Sequence, residues 1–161
     1  MDKSSYGRRD RLVQEKKHDM YRADGKWPEP TLCTQCQSIF QNGRWVWADV
    51  PQAKVHSVTC PACQRISDNY PAGYVELKGD FFIKNRQEIG NLILNEEKLE
   101  KSARPQERIM AIDEDDNSTM ITTTGVHIAR RVGEAISRAY KGDLVFTYGD
   151  GEKSIRVAWS R

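Results

Sequence analysis

All four cysteines of this 161-residue chain stand in two CxxC pairs, Cys33-Thr-Gln-Cys36 and Cys60-Pro-Ala-Cys63, with 23 residues between them. A CxxC turn places two thiolates on one side of a tight loop, where they take two corners of a tetrahedron. Two such loops brought together by a short β-segment complete a four-sulfur zinc site. Four thiolates saturate the ion, whereas a catalytic zinc keeps an open position for water. The expected cofactor is therefore one structural Zn2+ on Cys33, Cys36, Cys60 and Cys63. A thioredoxin-type redox motif needs only one pair, at a βα junction. His56, four residues before Cys60, is the one histidine near the set, and a surface or supporting role suits it better than ligation.

Composition explains why a metal is needed. Hydrophobic residues make up 38% of the chain, and mean hydropathy is −0.73, low for one well-filled core. Zinc supplies about 10–16 kcal/mol of apparent folding free energy to a small site. No apolar run reaches the roughly 20 residues that cross a bilayer, and the first residues lack a signal-peptide core. The expected location is the cytoplasm, where paired CxxC motifs serve as metal ligands more often than as disulfides.

Three segments are expected. Residues 1–30 are polar, with eight Lys or Arg against six Asp or Glu, and read as a flexible arm with a brief helix around Arg11–Met20. Residues 31–72 form a zinc ribbon, with a hairpin turning at Asn42-Gly43. Residues 73–161 read as a two-layer α/β sandwich, of order β-α-β-β-α-β-β, with a mostly antiparallel sheet. Its strands are Gly73–Ile83, Arg108–Ile112, Thr119–Thr123, Leu144–Tyr148 and Ile155–Trp159. Its helices are Asn85–Lys101 and Val126–Tyr140, the second with an apolar stripe at Ile128, Val132 and Ile136, Thr124 as N-cap and Gly142 as C-cap. The fold class is α+β.

Net charge is only +2, and outside the arm the two signs cancel. Nucleic-acid contact must then come from local patches, not from bulk charge. The candidates are Arg8, Arg9, Arg11, Lys16 and Lys17 in the arm; Arg44, Trp45 and Arg65 on the zinc module; and His127, Arg130, Arg131 and Arg138 on the second helix. Trp45 and Trp47 alternate onto one strand face, as core or as a stacking platform. On the helix, Glu134 is placed to pair with Arg138. The Thr122–Gly125 helix start is an anion site in principle, although ordinary capping accounts for it. Gly149-Asp150-Gly151-Glu152-Lys153-Ser154 lacks the glycine before lysine that a P-loop requires, so no nucleotide cofactor is expected. The Asp113–Asp116 run lacks the spacing of a calcium loop and reads as a solvated turn. No catalytic set emerges.

Residues 33–161 resemble a small bacterial family of uncharacterised zinc-ribbon proteins. The matching strings are Cys33-x2-Cys36 with Phe40 and Gly43-Arg44-Trp45, Cys60-Pro61-Ala62-Cys63-x-Arg65-Ile66, Tyr70-Pro71-Ala72-Gly73, Arg108-Ile109-Met110, Thr122-Thr123-Thr124 and His127-x-Ala129-Arg130-Arg131. A more distant similarity, through the double knuckle and Gly79-Asp80-Phe81, runs to the zinc-bearing N-terminal half of the archaeal and eukaryotic adaptor that escorts the large ribosomal subunit out of the nucleus. The adaptor's later domains and export signals have no counterpart here. The resemblance therefore implies ribosome or RNA binding and not export. The expected function is a non-enzymatic, zinc-stabilised RNA- or ribosome-associated protein. The alternative is a protein–protein adaptor that docks a partner through the ribbon and exposed tryptophans, and a zinc or thiol-redox enzyme is the third class.

Overall fold

A computed structural model describes residues 27–52, 54–149, 151 and 153–161. The arm candidates Arg8, Arg9, Arg11, Lys16 and Lys17, and the helix expected around them, lie outside the described residues. The rest is a mixed α/β structure with two sheets and four helices.

The first sheet is small. Strands β1 (Thr31–Cys33), β2 (Ile39–Gln41), β3 (Arg44–Val46) and β4 (His56–Val58) lie in the order β3-β2-β1-β4, with β4 parallel to β1. The β2–β3 hairpin turns where expected: Asn42 (φ +53) and Gly43 (φ +77) both adopt left-handed backbone, the geometry that suits an Asn-Gly hairpin. Phe40 and Trp45 stand opposite each other, and the Trp27 ring meets both at 5.1–5.5 Å between centroids. This aromatic trio forms the module's apolar filling. Trp47 lies beyond the end of β3, so the two tryptophans do not share a strand face. Its indole instead donates to the Lys101 carbonyl at 2.6 Å.

The second CxxC departs from the ribbon expectation. It opens a helix, α1 (Pro61–Asp68), with Cys60 as the N-cap residue and Pro61 in the first turn. Proline suits that position because its missing N–H would have no partner there. Asn69, in left-handed conformation, ends the helix.

The second sheet has the order β6-β7-β5-β9-β8. Its strands are β5 (Gly73–Lys78), β6 (Ile109–Glu114), β7 (Ser118–Thr123), β8 (Asp143–Gly149) and β9 (Ser154–Ser160). Three of its four pairings are antiparallel, whereas β5 runs parallel to β9. The expected strand over Gly73–Ile83 is cut short at Lys78. Gly79 (φ +107) turns the chain, because a side chain there would strike the main chain of Arg161. The following Phe81-Phe82-Ile83 lies in a short helix, α2 (Asp80–Lys84). An apolar run of that length is ambiguous by periodicity, and here burial of Phe82 against Trp159 decides it.

Helices α3 (Arg86–Ala103) and α4 (Val126–Tyr140) supply the other half of the core. Ile128, Val132 and Ile136 of α4 are fully buried among Val75, Leu77, Ile155, Val157 and Trp159 of the sheet. The last turn of α4 closes at Lys141 (φ +61), one residue before the expected Gly142, whose own φ is +90.

Two glycines separate propensity from packing. Alanine is favoured over glycine in a helix by about 1 kcal/mol. At Gly90 of α3 an added methyl meets nothing within 4 Å, whereas at Gly133 of α4 it would lie 2.6 Å from Val157 Cγ1 and 3.1 Å from Leu144 Cδ1. Overpacking of that kind costs about 1–3 kcal/mol. Urea unfolding should show Gly90→Ala more stable than the parent by up to about 1 kcal/mol, and Gly133→Ala less stable by about 1–2 kcal/mol.

Candidate metal centre and the adjoining basic groove

The four Sγ atoms of Cys33, Cys36, Cys60 and Cys63 all lie within 4.8 Å of one another, a set able to hold a metal ion. Cys33–Cys63 and Cys36–Cys60 are 3.8 Å apart, far beyond a disulfide bond, and all four thiols are free. A tetrahedron of metal–sulfur bonds of about 2.3 Å has edges of about 3.8 Å, so the spacing fits one ion held by four sulfurs. β1 and its following turn present Cys33 and Cys36; the first turn of α1 presents Cys60 and Cys63. Main-chain donors support the sulfurs: Cys60 N–H points at Cys33 Sγ (3.3 Å) and Cys63 N–H at Cys60 Sγ (3.5 Å).

The remaining support comes from the far side of the molecule. Arg108, just before β6 and only 7% exposed, places its Nη1 3.3 Å from Cys63 Sγ and its Nη2 3.1 Å from Cys36 Sγ and 3.6 Å from Cys60 Sγ. Its Nε donates to the Pro105 carbonyl at 2.6 Å, and its main-chain N–H donates to Thr124 Oγ1 at 2.9 Å. Burial works against its charge. The hydrogen bond to Cys63 and the negative charge of Cys36, Cys63 and Cys60 outweigh that, and the guanidinium is held above even the usual arginine range. Without an ion the thiols diverge. Burial pushes Cys63 up to about 12, whereas at Cys36 burial is overcome by the Ser38 hydroxyl and amide and by Arg108, which bring it to about 6. Sequence reasoning missed Arg108 as a site residue. A lone arginine ahead of a strand carries no spacing signal.

A groove of about 580 Å³ runs beside this centre, between the β2–β3 hairpin and the loop after α3. Arg44, Trp45, Arg104 and Gln106 line it. Trp45 Nε1 and Gln106 Nε2 are buried donors without a hydrogen-bond partner, while Gln106 Oε1 accepts from Ala62 N–H at 2.9 Å. The groove's cationic side continues onto α4. His127 Nε2 lies 2.8 Å from Arg104 Nη1 and 3.1 Å from Glu100 Oε2, and Arg131 Nε donates to Glu100 Oε1 at 3.2 Å. Glu100 is buried, so three basic side chains of α3 and α4 converge on one carboxylate. Arg130 and Arg138 are exposed further along α4. Glu134 pairs with Arg130 at 2.9 Å and not with Arg138, because Arg130 also leans over the Phe146 ring and so stays within reach.

Other expected residues are placed differently. Arg65 is buried, donates to the Tyr70 carbonyl at 3.0 Å and stacks on the Tyr70 ring, away from the groove. His56 is exposed on β4 and does not join the sulfur cluster. At the acidic turn, the Asp115 carboxylate accepts from Asn117 and Ser118 N–H groups, which hold it below the usual range.

The start of α4 carries its own anion. Glu107 Oε2 accepts from Ile128 N–H at 3.0 Å, and a side chain at Gly125 would fall on the Glu107 carboxylate. Gly125, not Thr124, is the N-cap residue. Thr124 is engaged elsewhere, since its hydroxyl donates to the Gln106 carbonyl at 2.7 Å. Comparison with family models, curated proteins and solved structures finds no match to this chain.

Two predictions follow from these contacts. Groups beside metal ligands typically contribute about 10- to 100-fold to affinity. In competition with a chromophoric chelator, Arg108→Gln should bind metal about 10- to 100-fold more weakly, with Arg108→Lys in between. Burial raises the Glu107 carboxyl above its ordinary range. The folded state thus holds that proton more tightly than the unfolded chain, and stability from this group increases as pH falls through the folded value. Glu107→Gln should be more stable than the parent at neutral pH, and its advantage should shrink on mild acidification in parallel urea titrations. Glu107→Ala, which uncaps the helix, should cost about 1 kcal/mol.

Proposed function

We propose that this chain is a non-enzymatic RNA- or ribosome-associated protein, stabilised by one structural zinc ion. Zinc suits four thiolates at tetrahedral spacing, because all coordination positions are filled and no redox step is needed. The observation that carries the RNA reading is the groove beside the metal centre. It combines two arginines, Trp45 and two unpaired N–H donors, Trp45 Nε1 and Gln106 Nε2, with one acidic side chain, Glu107. A buried donor without a partner costs about 1–3 kcal/mol, and the acceptor edge of a base or a phosphate oxygen relieves it. From the groove, Arg104, His127, Arg131, Arg130 and Arg138 lead along α3 and α4, a track for successive phosphates. The resemblance to the ribosomal adaptor supports the same class of partner.

The test is fluorescence anisotropy with labelled single-stranded and hairpin RNA across a salt series. Each phosphate contact contributes about 0.7–0.9 to the slope of log K against log salt. Arg44 and Arg138 are both exposed and do not hold Glu100. The double variant Arg44→Glu/Arg138→Glu should weaken binding by at least about tenfold at low salt and flatten the slope by about 1.5. Absence of salt-sensitive binding overturns the proposal. Recovery of the same protein partners from nuclease-treated and untreated extracts supports the adaptor reading in its place.

A further inference from the structure

A second cavity lies between α2–α3 and the β6–β7 end of the larger sheet, away from the sulfur cluster and its groove. It has a volume of about 530 Å³, within the roughly 300–1,000 Å³ of small-molecule sites. Its origin is in the packing. α4 covers β9, β5, β8 and β7, while α3 packs chiefly against α4. The N-terminal half of α3 therefore stands off the β6–β7 end of the sheet. Leu77 and Ile121 line the cavity from the sheet and Phe82 from α2. Ile83, Leu94 and Ile112 also line it, and each is among the exposed large hydrophobic side chains.

Three observations show more than an imperfect fit. First, Gly90 lines the cavity from the second turn of α3, where glycine costs about 1 kcal/mol relative to alanine, and open space faces it. Second, Thr119, 3% exposed, is a lining residue, and its hydroxyl is buried without a hydrogen-bond partner. Third, Arg86 lines the cavity and its Nε is buried and unpartnered. The rest of that side chain is fixed, with Nη2 donating to the Asp115 carbonyl at 2.7 Å and the guanidinium 5.4 Å from the Phe82 ring centroid. Glu114, the one acidic side chain of the lining, is exposed at the end of β6. The Asp115 carboxylate is occupied by its own turn. A hydroxyl and a cationic donor at one end of an apolar cleft leave an oxygen acceptor as the missing complement.

We propose that this cavity binds a small amphipathic molecule, an apolar chain or ring ending in a carboxylate. The carboxylate accepts from Arg86 and Thr119, and the apolar body lies between Gly90, Ile93 and Ile121. Decanoate serves as the probe and decanol as its uncharged counterpart, each titrated below its aggregation limit into the ¹⁵N-labelled, zinc-loaded full chain. Decanoate should shift the amide resonances of Gly90, Ile112 and Thr119 saturably, and decanol should bind at least about tenfold more weakly. Gly90→Leu fills the cleft without removing a contact and should abolish the saturable shifts. Arg86→Gln should lose about tenfold for decanoate and little for decanol. For both variants an otherwise unchanged amide spectrum shows that the fold is retained. The proposal is overturned if decanoate produces no saturable shift, if Gly90→Leu binds like the parent, or if decanol matches decanoate and Arg86→Gln has no effect.

Discussion

One guanidinium ties the two halves of this protein together. Four thiolates around a divalent ion carry a net charge of −2, and taking such a group out of water is costly unless charge and hydrogen bonds compensate it. Arg108 provides that compensation from outside the metal module, reaching three of the four sulfurs. Its orientation is set by Pro105 and Thr124, the latter just past the end of β7 and before α4. The sulfur cluster is thereby tied to the larger unit, an attachment reinforced by the Trp47–Lys101 and Ala62–Gln106 hydrogen bonds. The groove owes its existence to that docking, since one wall is the hairpin and the other the loop leading to Arg108.

What was legible in the sequence follows the range of the forces involved. The four-cysteine cluster was legible because the spacing within each pair is a local constraint. α4 was legible because its apolar residues recur with helical period, and the β2–β3 turn because Asn-Gly has a specific backbone demand. α1 was not: it has eight residues, only half of them apolar, and its start is disguised as the second half of a metal motif. The strand that ends at Lys78 was overextended because three apolar residues suit a buried helical turn as well as a strand. Arg108 and Glu107 were out of reach because each acts across distant elements, and so were the contacts of Glu100 to His127 and Arg131, although its pairing with Arg104 follows the i,i+4 spacing.

The same distinction governs the charges. Reading α4 alone pairs Glu134 with Arg138, since both candidate spacings on the helix are favourable. The structure selects Arg130 because a neighbouring strand offers Phe146 and Tyr148 as additional contacts. Glu100 shows the converse: a buried carboxylate, invisible as such in the sequence, gathers Arg104, His127 and Arg131 from two helices. The basic side chains on this side of α4 are thus interleaved with carboxylates of their own chain.

The central position of β5 has a consequence for how the molecule forms. One of its neighbours in the sheet, β9, lies about 80 residues further along the chain, so half of its ladder is a long-range pairing of the kind that slows folding. The cysteine pairs, by contrast, are close in sequence and close a short loop. Closing the cysteine cluster thus spans far less chain than completing the sheet. Without the larger unit the sulfur cluster has neither its arginine nor the wall of its groove.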